Sequence, residues 1–302
     1  MESGAACTAK TRFQVCSLSK QFVAVAAMLL AESGHLDLRE PVDRRLPQCA
    51  HHWRRVTLHH LLSHTAGVPH WREAPGLEPE RPMGIGERLE IICAAPLRGE
   101  PGSEWHYSSP GFMLAAFLVE RASGRTYPEF VAERILSPLH MTGTTIGTTP
   151  SASARGYKGG QPVNPWDLGG MSGTGDVWST AGDMSRFVVA LHSGELTTAA
   201  SLHAICTAQA PVDQDDEGEP RLIATGYGYG TFVGTISGHR AYYHPGDNPG
   251  YRSFACWFPD QAASIVILTN DEATNPTDLL RQLLPIALGR SGDQAVTSRG
   301  PR

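Results

Sequence analysis

Ser17-Leu18-Ser19-Lys20 stands at the entrance to the apolar run from Phe22 to Ala31. Such a run predicts a helix, and residues three apart on a helix are neighbours, so the Lys20 amine comes within reach of the Ser17 hydroxyl. Serine is a weak nucleophile until a base takes its proton. A lysine near the positive end of a helix, desolvated by apolar neighbours, is biased toward the neutral amine. The first-turn N–H groups are also aimed outward, where an oxyanion can be held. Ser19 is set aside because only Ser17 has lysine at the third position onward. Alone, the tetrapeptide is equally a helix cap followed by a surface charge. Two distant segments supply the missing chemistry. Tyr107-Ser108-Ser109 lies at a loop-to-helix junction and His244-Pro245-Gly246 at the end of a strand. Taken singly, each is as well explained by packing or by a turn.

Other chemistries find no support. No G-x-x-x-x-G-K-[ST] loop occurs, and Gly226-Tyr227-Gly228-Tyr229-Gly230 is strand-like with no helix after it, unlike a dinucleotide fingerprint. Gly170-Met171-Ser172-Gly173-Thr174 fails the G-x-S-x-G elbow at its last position. Among thirteen histidines, His60 and His64 share a helix face, but the glutamate of H-E-x-x-H is absent and no third ligand stands out. No metal or organic cofactor is expected.

Positioning these groups requires a mixture of elements. A helix is predicted from Ser17 to Ser33, closed by Gly34. A second follows Thr57 through Leu58, Leu61 and Leu62, with Gly67 as its terminator. A third starts at Ser109-Pro110 and ends at Gly124, with Ser109 as its cap. Further helices are predicted over Tyr127 to Leu136, Thr180 to His192 and Thr277 to Leu288. Tyr227 to Thr235, Arg240 to His244, Tyr251 to Phe258 and Ala263 to Thr269 read as short strands separated by Gly, Pro, Asn and Asp. Short connections imply an antiparallel meander, so the class is α+β.

The 302 residues suffice for a sizeable core, and 41% apolar with 18% charged residues is an ordinary globular composition. The 32 glycines and 22 prolines argue against a long helical bundle, and a net charge of −5 with scattered basic residues leaves no footprint for nucleic acid. The ten-residue apolar run is too short for a membrane span and lacks a small-x-small cleavage site after it. Six cysteines without C-x-x-C spacing suit reduced thiols, so the expected location is cytoplasmic.

The three segments, in this order, resemble the serine β-lactamase and penicillin-binding-protein superfamily, most closely its class C β-lactamase and esterase branch. That branch carries S-x-x-K, Y-x-N, and K-T-G or H-x-G. The likeness extends over Phe13 to Phe22, Leu61-Leu62-Ser63-His64-Thr65-Ala66-Gly67, Asp176 to Met184 and Leu268-Thr269-Asn270, and covers about residues 11 to 288. It implies a β-lactamase/DD-peptidase-like antiparallel sheet flanked by helices. Residues 1–302 would form one domain, with an α/β part from 1–35 and 170–302 and a helical part from 36–169. Ser17 would be the acylated nucleophile, Lys20 its proton partner and Tyr107 the phenolate-like base that later serves the leaving group as acid. The Ser17 and Asp247 N–H groups would form the oxyanion hole, with Ser109, His244, Gly246 and Arg252 on the substrate side. A phenol of pKa about 10 serves as a base only when a cation depresses it, and Lys20 is the available one.

The departures are informative. The family asparagine is Ser109, expected to do no more than cap its helix. His244 replaces the lysine that meets a substrate carboxylate, and with a pKa of about 6.5 it is mostly neutral; Arg252 restores a cation only where it points inward. Sixteen residues precede Ser17, fewer than relatives carry, so the first strands of the sheet are expected to be truncated. The function expected is a serine hydrolase acting through an acyl-enzyme on a small ester, amide or lactam, with esters and amides favoured. The alternatives are an acyltransferase with an alcohol or amine acceptor, and a catalytically impaired peptide- or muropeptide-binding homologue. Neither nucleic acid nor membrane is an expected partner. Oligomeric state stays open, as does an export signal upstream, since relatives are often exported.

Overall fold

Strand β1 (Phe13–Gln14) leads through a one-turn 3-10 helix (Cys16–Leu18) directly into helix α1 (Ser19–Glu32). The computed structural model describes residues 6–49, 53–164, 166, 168–216, 218 and 220–289; the outermost residues of the 1–302 domain assignment lie outside these. Helix α1 is apolar on nearly every side, from Phe22 to Leu30, and is accordingly buried all round.

Helices α2 (Leu58–Leu62), α3 (Ile85–Ala94), α4 (Ser109–Ser123) and α5 (Tyr127–Val131) follow, α5 running on as a π turn over Ala132–Leu136. Helix α4 packs on α1, α2 and α5. Thr57 and His60 form a reciprocal capping box at α2. That helix ends at Ser63, with His64 in a left-handed conformation, earlier than the expected stop at Gly67. The short strands β2 (Thr145–Ile146), β3 (Tyr157–Lys158), β4 (Gln161–Pro162) and β5 (Val177–Ser179) come next, and β5 lies between β1 and β2. Helices α6 (Ala181–Ser193) and α7 (Ala199–Cys206) precede the main sheet.

That sheet is a six-stranded antiparallel meander in chain order: β6 (Ala210–Asp216), β7 (Leu222–Tyr227), β8 (Phe232–Ile236), β9 (His239–Asn248), β10 (Tyr251–Phe258) and β11 (Ala263–Thr269). Helix α8 (Pro276–Ala287) closes the described chain. Alternate residues of β10 serve two layers. Ala255 and Trp257 face the core that contains α1 and α6, while Phe254, Cys256 and Phe258 face Leu280 and Leu284 of α8. A strand buried on both faces reads as a continuous apolar run, and this one does.

Two expectations need correction. Tyr227 to Thr235 is not one strand but the end of β7, a turn, and β8, because Gly228 and Gly230 let the chain reverse. The cysteines are not all thiols: Cys49 and Cys93, 44 residues apart, form a disulfide that ties the segment before α2 to the buried face of α3. Among the described residues, no helix is long and apolar enough to cross a membrane.

Candidate active site

Ser17 sits in the 3-10 turn, one residue after Cys16, whose φ of 53° is left-handed. This abrupt strand-to-helix passage turns the Ser17 side chain into a cleft of about 950 Å3. Lys20, one helical turn on, is wholly buried, with Nζ 3.1 Å from Ser17 Oγ and donating to the Thr174 carbonyl at 3.1 Å. From the opposite side Tyr107 donates its hydroxyl to Ser17 Oγ at 3.0 Å, and Lys20 Nζ lies 4.9 Å from the Tyr107 ring centroid. Two stretches of chain thus bring a hydroxyl, an amine and a phenol together, and a third supplies the carbonyl that holds the amine.

Tyr107 is held by the turn that starts α4. The cap of that helix is Ser108, not Ser109: its side chain accepts the Gly111 N–H at 3.1 Å and donates to the Pro69 carbonyl at 3.1 Å. Ser109 is instead the first helical residue, lining the cleft beside Ser17 and Tyr107. Two histidines brace this junction, His70 not singled out from the sequence and His64 noted there without this role. His64 Nδ1 accepts the Ser108 N–H at 3.0 Å, and His70 Nδ1 accepts the Ser109 N–H at 3.1 Å. Both contacts join residues about forty positions apart, so no local pattern announces them.

The third segment enters from β9. The turn at Ser237-Gly238 fixes the alternation, so that His239, Ala241 and Tyr243 bond toward β8. Beyond Tyr243 β8 has ended, and the Asp247 N–H, in the same phase, points off the sheet beside the Ser17 turn. Gly246 permits this approach: a Cβ there would sit 2.8 Å from Cys16 Cβ, 3.0 Å from Ser17 N and 2.3 Å from Ser253 Oγ. Ser253 Oγ in turn donates to the Val15 carbonyl at 2.7 Å, fastening the Ser17 turn to β10.

His244 lines the cleft, but its nitrogens are occupied. Nδ1–H donates to the Pro245 carbonyl, so Nε2 accepts from the Tyr227 hydroxyl at 3.0 Å. It presents a neutral ring wall and no free donor. Arg252, across the hairpin, is paired with the Asp247 carboxylate at the mouth of the cleft. Lys158 and Glu272, also at the mouth, pair at 3.0 Å. Fixed charges there are therefore matched, and Trp71, Trp166, Phe232 and Phe254 add aromatic surface.

Burial sets the proton states. It brings the Lys20 amine down to about 7, against the opposing pull of the Asp176 carboxylate. It pushes the Tyr107 phenol above its ordinary range, with the bonds to Ser17 and Ser109 only partly offsetting this. The phenolate expected from the sequence is therefore not the resting form; Lys20 is the group poised near neutrality. His70 is brought down to about 4 and His244 to about 3, in both cases by burial first and the Lys20 charge second. His64 is held well below its usual value by the same two causes. His60, which was set aside with His64 as a metal pair, has Nδ1 engaged in the α2 cap, accepting the Thr57 N–H at 3.2 Å.

A hydroxyl flanked by a buried lysine and a tyrosine, under an antiparallel sheet covered by helices, defines the β-lactamase-like class of serine acyl-transfer folds. The Beta-lactamase family model matches residues 1–287, and the chain belongs to that family. A penicillin-binding protein of Bacillus subtilis (strain 168) is 30% identical over 284 residues, covering 86% of this chain and 61% of that protein. Esterase EstB of Burkholderia gladioli is 33% identical over 179 residues, 53% of this chain and 45% of the esterase. The chain thus spans about half to three-fifths of the length of these curated relatives. Among solved structures, a penicillin-binding protein from Bacillus halodurans superposes with a TM-score of 0.80 at 25% identity, covering 94% of this chain and 89% of that one.

Proposed function

We propose that this chain is a serine hydrolase that forms an acyl-enzyme on Ser17 from a small, uncharged ester or amide. The carrying observation is Ser17 Oγ held 3.1 Å from Lys20 Nζ and 3.0 Å from Tyr107 Oη on the floor of the cleft. As the neutral amine, Lys20 takes the Ser17 proton while Oγ bonds to the carbonyl carbon. The Ser17 and Asp247 N–H groups receive the oxyanion, which Gly246 brings close enough to share. When the intermediate collapses, Tyr107 gives its proton to the departing alcohol or amine, and the neighbouring Lys20 ammonium returns a proton to the phenolate. Water then enters and gives a proton to the neutral Lys20 amine as it adds to the acyl carbon; when the acyl–oxygen bond breaks, Ser17 Oγ takes that proton back and the acid is released. An alcohol or amine in place of that water makes the same cycle an acyl transfer.

The preference for uncharged substrates is supported by the third segment. Where a lysine would meet a carboxylate, His244 is neutral with both nitrogens engaged, and Arg252 is already paired with Asp247. Ser109 lines the cleft on the substrate side with a hydroxyl where the family carries an amide. The same reading keeps residues 1–35 and 170–302 as an α/β part bearing Ser17 and Asp247, with Tyr107 on the helical part, 36–169. The Cys49–Cys93 bond favours an oxidising compartment over the cytoplasm. The test is stopped-flow hydrolysis of short-chain aryl esters beside cephalosporins. A burst with esters, lost in Ser17→Ala, supports the hydrolase; faster turnover of cephalosporins overturns the charge preference. Ligand binding without any burst favours a binding homologue.

A further inference from the structure

Close enough to Lys20 for their charges to interact, and not among the groups lining the cleft, lies a carboxylate that none of the steps above employs. Asp176 is fully buried. Its Oδ1 accepts the Gly173 N–H at 2.9 Å, while Oδ2 is buried without a hydrogen-bond partner. The turn it closes, residues 173 to 176, presents the Thr174 carbonyl that holds Lys20 Nζ at 3.1 Å. This turn is clamped from three directions. Gly173, at φ +75°, sits where a Cβ would meet Val23 of α1 at 2.5 Å and Ala116 of α4 at 3.0 Å. The Val177 N–H donates to Ser19 Oγ at 3.2 Å, and the Asn248 amide donates to the Gly175 carbonyl at 3.1 Å. A buried carboxylate so fixed, with one oxygen unused, costs stability unless a counter-charge is near.

We propose that Asp176 is a positioning residue for Lys20: one carboxylate oxygen holds the turn that anchors the lysine, and the buried charge governs whether that lysine is an amine or an ammonium. The proposal rests on Lys20 being the base that activates Ser17. The other titratable groups facing Lys20 are Cys16 before α1, Tyr107 at the start of α4, His64 and His70 after α2, and His244 on β9. The thiol and phenol are protonated and the histidines neutral, which leaves Asp176 as the acid that acts on it. Facing Asp176 itself are Lys20 and Tyr127 of α5, whose buried hydroxyl also has no hydrogen-bond partner. Burial raises the Asp176 carboxyl and lowers the Lys20 amine, each opposed by the other's charge, so their titrations move toward one another and are coupled.

The chain has only three lysines, Lys10, Lys20 and Lys158, and the first and last are exposed. Carbon-13 labelling of lysine Cε therefore gives a short spectrum in which Lys20 is followed directly, without any substrate. In the unmodified protein the Lys20 Cε and Asp176 Cγ signals are expected to titrate over one shared interval. Asp176→Asn keeps the acceptor for Gly173 and removes the charge. It moves the Lys20 midpoint to lower pH, and the acid limb of Ser17 acylation moves with it while the plateau is kept. Asp176→Ala removes the acceptor as well, and its acylation plateau falls about tenfold or more. Asp176 titrating apart from Lys20 in the unmodified protein overturns the proposal, as does a Lys20 midpoint that Asp176→Asn leaves unchanged. Absence of any Ser17 adduct alongside a shifted midpoint would instead count against the hydrolase reading and uphold the Asp176–Lys20 coupling.

Discussion

Ser17 Oγ is shared between an amine and a phenol, and the environment of each decides which accepts the proton. Because burial lowers Lys20 to about 7, the amine form grows as pH rises through that value. The predicted kcat/KM for an aryl ester therefore rises from pH 5.5 to 8.5 with a half-point near 7, and a flat profile would exclude Lys20 as the base. Tyr107→Phe keeps the ring but loses the proton donor; a loss of about 100-fold or more in kcat, larger for poor leaving groups, is expected. His244→Lys adds the missing cation, so relative turnover of substrates bearing a carboxylate should increase. Ser17 and Lys20 were legible because their relation is local and helical. Thr174 and Asp176 were not, since a backbone carbonyl and a carboxylate more than 150 residues away leave no pattern near the nucleophile.

Element ends matter as much as the reactive groups. The α4 cap is predicted to be worth about 1 kcal/mol, so Ser108→Ala should lower the thermal midpoint, and it should reduce kcat by loosening Tyr107. Ser109→Ala should leave stability nearly unchanged; a larger stability loss than for Ser108→Ala would reassign the cap. Gly246→Ala places a carbon against Ser17 N and Cys16, and acylation should collapse even where the fold survives. Strands β10 and β11 were readable to the residue because long runs of aromatic and branched residues end at unambiguous turns. The β7–β8 hairpin was misread because its glycines lie among tyrosines and look strand-like in isolation. Helices α3 and α7 and strands β1 to β6 were missed: α3 has no side-chain cap to mark its start, β1 to β5 are only two or three residues long, and β6 is polar along the edge of the sheet.

For the molecule as a whole, the nucleophile turn is gripped by β1, β9, β10 and α1 together, so the site forms only when the sheet and the helical layer are assembled. The Cys49–Cys93 bond closes a loop of 44 residues within the helical layer, for which chain entropy suggests about 4 kcal/mol. Reduction should lower the urea midpoint while leaving the ester burst intact under native conditions; an unchanged midpoint would remove the bond from the stability of the fold. Spacing gave no hint of this pair, because it is made by tertiary packing rather than by a local motif. The class of fold, by contrast, was readable from the order of three short segments along the whole chain. The most direct measurement is intact-mass analysis with peptide mapping after incubation with a panel of aryl esters and penicillins. An added acyl group on the Ser17 peptide, absent in Ser17→Ala, is the predicted result; an acyl group on any other residue, or none with any substrate, would contradict it.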